Sequence, residues 1–190
     1  MVQSITIVSG LPRSGTSLMM QMLDKGGMEV VTDNIRTADV DNPKGYYEFE
    51  KVKKMKEDAS WLKNTRGKVF KMVSMLLYDL PPDERYKIIF MKRNMEEVLA
   101  SQRKMLERAN KQSDTDDNEM GALLTVHLDK TYNWLEHQRN IEVLYVSYNS
   151  LIADPLSASK TVNDFLGGNL NIEKMAEVID KSLYRNRGNA

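Results

Sequence analysis

The feature that most limits the possible folds is a glycine-containing turn from Ser9 to Ser17, placed between two segments of different periodicity. Before it, the β-branched run from Ile5 to Ser9 is typical of a buried strand. After it, Thr16 to Lys25 carries apolar residues at helical spacing, and Gly26 and Gly27 follow as a helix stop. A strand, a tight glycine turn and a helix in this order predict an α/β fold with an anion site at the turn.

The rest of the chain alternates between short strand-like runs and longer amphipathic segments. Further strands are expected at 28–31, 68–73, 86–91 and 141–146. One helix is expected to start near Phe49, a long one near Met95, and another to follow the polar stretch 110–119 and end near Arg139. Two more helices are expected over 155–166 and 172–179. The polar, acidic stretch 110–119 is predicted to be a mobile loop. This alternation predicts a three-layer α/β sandwich with a central parallel sheet and right-handed crossovers. The chain has 190 residues and no evident linker, so we expect one domain spanning 1–190.

Composition removes several classes of function. Lys plus Arg and Asp plus Glu both number 27, so no overall field attracts nucleic acid or an anionic membrane, and neither partner is expected. The absence of Cys excludes disulfides, thiolate metal sites and Cys nucleophiles, and it is compatible with the cytoplasmic location that we expect. No apolar run approaches the roughly 20 residues of a membrane span. Residues 1–4 lead directly into the first strand, so no signal peptide is expected.

The turn has the residues that phosphate binding requires. Backbone N–H groups and the helix N-terminus form an anion nest, which Gly10 and Gly15 let a phosphate approach closely. Thr16 and Ser17 can add hydroxyl hydrogen bonds. The glycine spacing is that of nucleotide triphosphatases, but Thr16 stands where their loop has Lys, which argues against a kinase. A cation lies three residues earlier, at Arg13. The alternative is a simple glycine turn before a helix.

A second candidate phosphate site follows the strand expected at 86–91. Arg93 comes directly after it, and Ser101 lies eight residues further on, about two helical turns along and on the same side as Glu97. The planar fork of an arginine binds phosphate oxygens bidentately. We therefore expect Arg93 and Ser101 to hold one phosphate between them. The alternative is an exposed arginine and a helix-surface serine without function.

Both motifs resemble those of sulfotransferases that use 3′-phosphoadenosine 5′-phosphosulfate (PAPS). The segment Pro12 to Thr16, PRSGT, is similar to the family's 5′-phosphosulfate loop, P-[KR]-S-G-T. Arg93 and Ser101 are similar to its 3′-phosphate motif. Arginine at position 13, followed by Ser17 to Met19, looks most like the tyrosylprotein and bacterial branches.

The resemblance continues over 143–155 and 165–167, and the segment 184–188 is similar to the family's basic C-terminal stretch, which completes its 3′-phosphate site. It implies PAPS as cofactor and PAP (3′-phosphoadenosine 5′-phosphate) as product. The acceptor would be a hydroxyl or amine of a small molecule, carbohydrate or peptide. The cofactor-binding residues that it implies are Gly10, Arg13, Ser14, Gly15, Thr16, Ser17, Arg93, Ser101, Arg185 and Arg187.

The resemblance also bears on catalysis. Lys71 matches the lysine of the family's central strand, but Met72 and Val73 replace the Thr-His that follows it, and that histidine is the general base of the cytosolic branch. Sulfuryl transfer builds up charge on the sulfuryl oxygens and on the leaving phosphate oxygen. Positioned cations should therefore supply much of the catalysis, and we expect Arg13 and Lys71 to fill that role.

A base must come from elsewhere. The tyrosylprotein branch uses a glutamate shortly after the loop, where Glu48 and Asp33 are candidates. We prefer Glu48, because the turn at 42–47 can aim it at the site; the alternative is a solvated carboxylate at a helix start. His127 is expected to be structural, and His127 and His137 do not form a ligand cluster, so no metal is expected. The alternatives that remain are a nucleotide or small-molecule kinase and a nucleotide-binding protein without catalysis.

Overall fold

The computed structural model describes residues 3–33, 35, 45–108, 110 and 116–180. Its centre is a sheet in the order β2-β1-β3-β4, with every neighbouring pair parallel. The strands are β1 (Ile5–Gly10), β2 (Val69–Lys71), β3 (Tyr86–Lys92) and β4 (Ile141–Ser147). The predicted central parallel sheet is confirmed. Because β1 has neighbours on both sides, its carboxyl end lies where the strand order reverses, the usual ligand position in such sheets.

Helices cover both faces of this sheet. The α-helices of the described part are α1 (Thr16–Lys25), α2 (Met95–Arg108), α3 (Asp117–Glu136), α4 (Tyr148–Ala153), α5 (Pro155–Leu166) and α6 (Ile172–Glu177). The same described ranges contain 3₁₀ helices at Glu50–Lys54, Ser60–Thr65 and Ser74–Asp79. Among these described helices, none is long and apolar enough for a membrane span.

Two apolar clusters separate the layers. Alternate side chains of β1 point to opposite faces, as a strand requires. Ile5 and Ile7 join a cluster with α3 and the 3₁₀ helices, whereas Val8 joins one with α1, α4, α5 and α6. The predicted three-layer sandwich is therefore confirmed, and burial of these faces is its main source of stability.

Three predicted elements differ in the structure. In the segment expected to be a strand at 28–31, Val30 forms only an isolated bridge to Val69. The helix expected from Phe49 is the 3₁₀ helix Glu50–Lys54. The loop predicted over 110–119 ends too late, because α3 already begins at Asp117, where the Asp116 side chain accepts hydrogen bonds from the first-turn amides. Residues 111–115 of that loop lie outside the described ranges.

Candidate active site

The loop between β1 and α1 is shaped by its two glycines. Gly10 has a φ of 146°, and a Cβ there would lie 2.6 Å from the carbonyl oxygen of Met91. Gly15 has a φ of 96°, and its Cβ would lie 2.4 Å from Cδ2 of Tyr148. Both positions combine a left-handed backbone with a close neighbour, so only glycine fits. The loop is thereby held tightly against β3 and α4.

The hydroxyl of Ser14 is used inside the loop. It is buried and donates to the carbonyl oxygen of Leu11 at 2.7 Å. The N-cap of α1 is Gly15, which has no side chain to accept hydrogen bonds from the first turn. The amide groups at the start of α1 are therefore donors suited to an anion.

Arg13 joins the two predicted phosphate motifs. Its Nε donates to Oγ of Ser101 at 2.9 Å, and its carbonyl oxygen accepts from Nη1 of Arg93 at 3.0 Å. Arg13 itself has a φ of 70°, a left-handed conformation that costs roughly 1–2 kcal/mol for a residue with a Cβ. The hydrogen bonds from both ends of the residue stabilise this conformation. Arg13 thus forms one cluster with Arg93 and Ser101, which lie 80 and 88 positions further along the chain.

Arg93 is held from three sides. Its Nε donates to Oε2 of Glu97 at 2.9 Å, and its guanidinium lies over the ring of Tyr148, 4.3 Å from the centroid. Nδ2 of Asn149 donates to the other oxygen of Glu97 at 2.9 Å. Burial raises the pKa of Tyr148, although Arg93 opposes this shift, so its phenol stays neutral at physiological pH.

Lys71 and Glu48 meet next to the start of α1. The Lys71 ammonium donates to the carbonyl oxygen of Tyr46 and to Oγ of Ser17, the latter at 3.4 Å, and its Nζ lies 3.8 Å from Oε1 of Glu48. Ser17 Oγ in turn donates to the carbonyl oxygen of Tyr46 at 3.3 Å. A predicted cation, a predicted base and a loop hydroxyl therefore lie together.

Asp33 has a different environment from Glu48. Its oxygens accept from the amides of Glu50 at 2.6 Å and of Ile35 at 3.0 Å. Desolvation raises the pKa of Asp33, but these hydrogen bonds outweigh it and lower the pKa below the usual value. A carboxylate that is both held by backbone amides and made less basic is suited to fixing the backbone and poorly suited to taking a proton.

The histidines lie apart from any ligand cluster. Nε2 of His127 lies 2.8 Å from Oγ of Ser74 and contacts Thr131, and burial lowers the pKa of His127. Nδ1 of His137 lies 2.6 Å from the carbonyl oxygen of Asn133. Across the described ranges, no three His, Asp or Glu side chains come together as a metal site. Arg185 and Arg187 lie outside the described residues.

Three residues around Arg93 were not predicted as part of the site from the sequence: Glu97, Tyr148 and Asn149. The sequence indicated only that Glu97 lies on the same side of its helix as Ser101. Its spacing of four residues from Arg93, the usual spacing of an ion pair in a helix, could have indicated the contact. No local pattern indicated Tyr148 or Asn149, because α4 was not predicted and contacts Arg93 only through the tertiary fold.

Comparison with known proteins gives a family and a fold. A family model described as a sulfotransferase domain matches residues 3–187. No curated protein matches the chain in sequence.

Solved structures of low sequence identity share the fold. A sulfotransferase domain from the curacin biosynthetic pathway is 13% identical with a TM-score of 0.57, and the alignment covers 94% of this chain and 78% of that one. A sulfotransferase from Mycobacterium avium is 15% identical with a TM-score of 0.56, covering 99% and 70%. A mouse sulfotransferase complexed with PAP is 17% identical with a TM-score of 0.56, covering 95% and 63%.

Proposed function

The chain belongs to the sulfotransferase domain family, whose reaction is sulfuryl transfer, and we propose that it takes the sulfuryl group from PAPS and delivers it to a hydroxyl or amine. The observation that carries the choice of donor is the contact of Arg13 with both Arg93 and Ser101. It joins the loop suited to a 5′-phosphosulfate to the pair suited to a 3′-phosphate, as a donor with both groups requires. A kinase is not favoured, since the family match is to sulfotransferases and Thr16 replaces the loop lysine.

In this proposal the donor spans two groups of residues. The amides of the loop, with Gly10 and Gly15 allowing close approach, bind the 5′-phosphosulfate. Arg93 and Ser101 bind the 3′-phosphate, because a guanidinium and a hydroxyl supply several donors to one anion. Arg185 and Arg187 are assigned to the 3′-phosphate by their sequence alone, as are Ser14, Thr16 and Ser17 to the loop end of the donor.

The transfer itself is an in-line displacement at sulfur. The acceptor oxygen or nitrogen forms a bond to sulfur while the bond from sulfur to the 5′-phosphate oxygen breaks, and PAP leaves with that electron pair. Negative charge develops on the sulfuryl oxygens and the leaving oxygen. Arg13 and Lys71 are the cations that we assign to this charge, where fixed donors stabilise the transition state most.

Glu48 is the residue that we assign to take the acceptor proton. Its carboxylate lies 3.8 Å from the Lys71 ammonium, so base and charge-stabilising cation share one side of the loop. Asp33 is a poorer choice because the amides of Glu50 and Ile35 already bind its oxygens. The acceptor is a small molecule, carbohydrate or peptide, since each can present a hydroxyl or amine here.

Donor selectivity tests this proposal. PAP should raise the melting temperature of the protein much more than 5′-AMP does, because tighter binding to the folded state stabilises it by mass action. Arg93→Ala should erase most of the difference, since a charge-assisted contact is worth on the order of 2–4 kcal/mol. Differential scanning fluorimetry with each nucleotide measures both effects.

The matched control is Arg66→Ala, which also breaks an arginine–glutamate pair but at the far end of β3. It should lower the melting temperature and leave the preference for PAP intact. Equal shifts with PAP and 5′-AMP in the wild-type protein would contradict the assignment of Arg93 and Ser101. Turnover of labelled PAPS against a set of alcohols, phenols, sugars and amines then identifies the acceptor.

A further inference from the structure

Glu97 is a buried carboxylate in the candidate donor site. The residue is 3% exposed and lies one helical turn after Arg93. A buried charge is costly unless it is paired and its oxygens are hydrogen-bonded. Both oxygens meet this condition: Oε2 accepts from Nε of Arg93, and Oε1 accepts from Nδ2 of Asn149, each at 2.9 Å. The carboxylate therefore ties α2 to α4 at the carboxyl end of the sheet.

These contacts fix the orientation of the Arg93 fork. Glu97 accepts a hydrogen bond from Nε of Arg93, and the carbonyl oxygen of Arg13 accepts one from Nη1. The ring of Tyr148 lies against the plane of the guanidinium. The three contacts come from three separate parts of the chain, so rotation of the guanidinium about any of its bonds breaks at least one. Because Nε donates to Glu97, a phosphate in this site would contact Arg93 at the terminal end of its guanidinium.

A second arginine–glutamate pair, in which only the glutamate is buried, shows that this arrangement is not required merely to hold an arginine. Arg66 and Glu84, at the amino end of β3, form a closed pair in which both carboxylate oxygens bind one guanidinium, at 2.9 Å from Nε and 2.6 Å from Nη2. Glu97 instead divides its oxygens between Arg93 and Asn149. In the closed pair the two charges bind only each other, whereas the divided carboxylate also fixes the direction of the arginine relative to α4.

We propose that Glu97, held in place by Asn149, orients Arg93 for the 3′-phosphate of the donor and so sets the preference for a nucleotide that carries this group. This inference rests on the proposed function, because it assumes that Arg93 meets the 3′-phosphate. Glu97 is a positioning residue in it and touches no substrate. Its effect should therefore appear in nucleotide selectivity more than in binding of the rest of the nucleotide.

The test compares Glu97→Gln with Glu84→Gln. Both replace a buried carboxylate by a neutral group of the same shape, and both should lower the melting temperature. For Glu97→Gln, the ratio of Kd for 5′-AMP to Kd for PAP, measured by calorimetry, should fall by about 10- to 100-fold, the range expected when one hydrogen bond to a charged group is lost. The Kd for 5′-AMP should stay within about twofold of wild type. Glu84→Gln should keep the wild-type ratio.

Two milder variants separate position from charge. Glu97→Asp keeps the charge but shortens the reach, so the ratio should fall as it does for Glu97→Gln if orientation matters. Asn149→Ala keeps Glu97 and Arg93, and should lower the ratio by a smaller factor. It also serves as the test if Glu97→Gln does not fold, because Asn149 is only partly buried.

The outcomes distinguish this inference from the function beneath it. A wild-type protein that binds PAP and 5′-AMP equally well would overturn the proposed function. A wild-type preference for PAP that survives unchanged, or increases, in Glu97→Gln would overturn only the positioning role. An increase would mean that the carboxylate competes with the phosphate for Arg93.

Discussion

The two ends of β3 use the same pair of residue types in different ways. At the amino end, Arg66 and Glu84 bind each other through both carboxylate oxygens. The Glu84 carbonyl also accepts from Nδ2 of Asn140, which fastens the approach to β4. At the carboxyl end, the carboxylate of Glu97 is shared between Arg93 and Asn149. At the amino end the two charged groups bind each other, whereas at the carboxyl end the carboxylate also fixes the orientation of the arginine.

The difference shows that interactions which add little to stability are concentrated at the carboxyl end of β3. A buried ion pair contributes little more to stability than an apolar contact of similar volume, because desolvating the two charges offsets much of their attraction. The carboxyl end also holds Arg13 in a left-handed conformation with a φ of 70°. Such departures from local preference are expected at functional sites, where the surrounding structure stabilises them. Substitutions at the carboxyl end should therefore change activity, and those at the amino end only stability.

The largest effect is expected at Glu48. If it is the base, Glu48→Gln should lower turnover by roughly 10²–10⁴-fold and leave the affinity for PAP nearly unchanged, because only proton transfer is lost. Steady-state kinetics with labelled PAPS measure both.

Glu84→Gln is the comparison at the amino end, with no expected change in kcat. A Glu48→Gln enzyme with wild-type turnover would remove Glu48 from the mechanism. Asp33→Asn would then be tested next, although its contacts with the amides of Glu50 and Ile35 predict mainly a loss of stability. If both variants stay active, the acceptor loses its proton without a base from this chain.

The second effect concerns Arg13. If it stabilises charge that develops only in the transition state, Arg13→Ala should lower kcat by about 10²–10³-fold and weaken PAP binding much less. Arg13→Lys should keep part of the activity, since it retains the charge and loses the fork. A loss confined to Kd would assign Arg13 to binding alone, together with Ser101. Arg66→Ala should lower stability without changing kcat.

Most of the fold follows from local patterns. The helices at 16–25 and 155–166 were predicted to the residue, because a glycine or proline marks their ends and their apolar spacing is regular. The prediction of a strand at 28–31 was wrong, since within the described ranges this segment forms only the isolated bridge of Val30 with Val69. The number of residues that pair depends on the neighbouring strand. The 3₁₀ helices Ser60–Thr65 and Ser74–Asp79 and helix α4 were missed, because short helices owe their stability to tertiary packing.

The candidate site divides in the same way. The two phosphate motifs alone indicated Arg13, Arg93 and Ser101, because the spacing of a loop and a helix is visible in the sequence. Lys71 was indicated only by the resemblance of its strand to that of the sulfotransferases. The contact of Arg13 with Ser101 could not be predicted, since it depends on how α2 packs beside the loop. The preference for Glu48 over Asp33 gains a physical reason only from the backbone amides that Asp33 accepts.

The last effect in this comparison is one of stability and not of turnover, and it concerns two glycines that both have a left-handed backbone. Gly67, at the amino end, has a φ of 74°, and a Cβ there would lie 2.5 Å from Oε1 of Gln3, the far end of a flexible side chain. Gly15, at the carboxyl end, would press its Cβ against the ring of Tyr148, and that ring already lies against Arg93.

Gly67→Ala should cost about 1–2 kcal/mol of stability, the backbone strain alone, and should keep the full rise in melting temperature with PAP. Gly15→Ala should cost that amount plus roughly 1–3 kcal/mol for overpacking. Because Tyr148 cannot move without disturbing Arg93, this variant should also lose most of the stabilisation by PAP. Thermal denaturation with and without PAP measures both terms. A Gly15→Ala protein that keeps the wild-type response to PAP would show that the loop and Arg93 adjust independently, and the two ends of β3 would then differ less than their contacts imply.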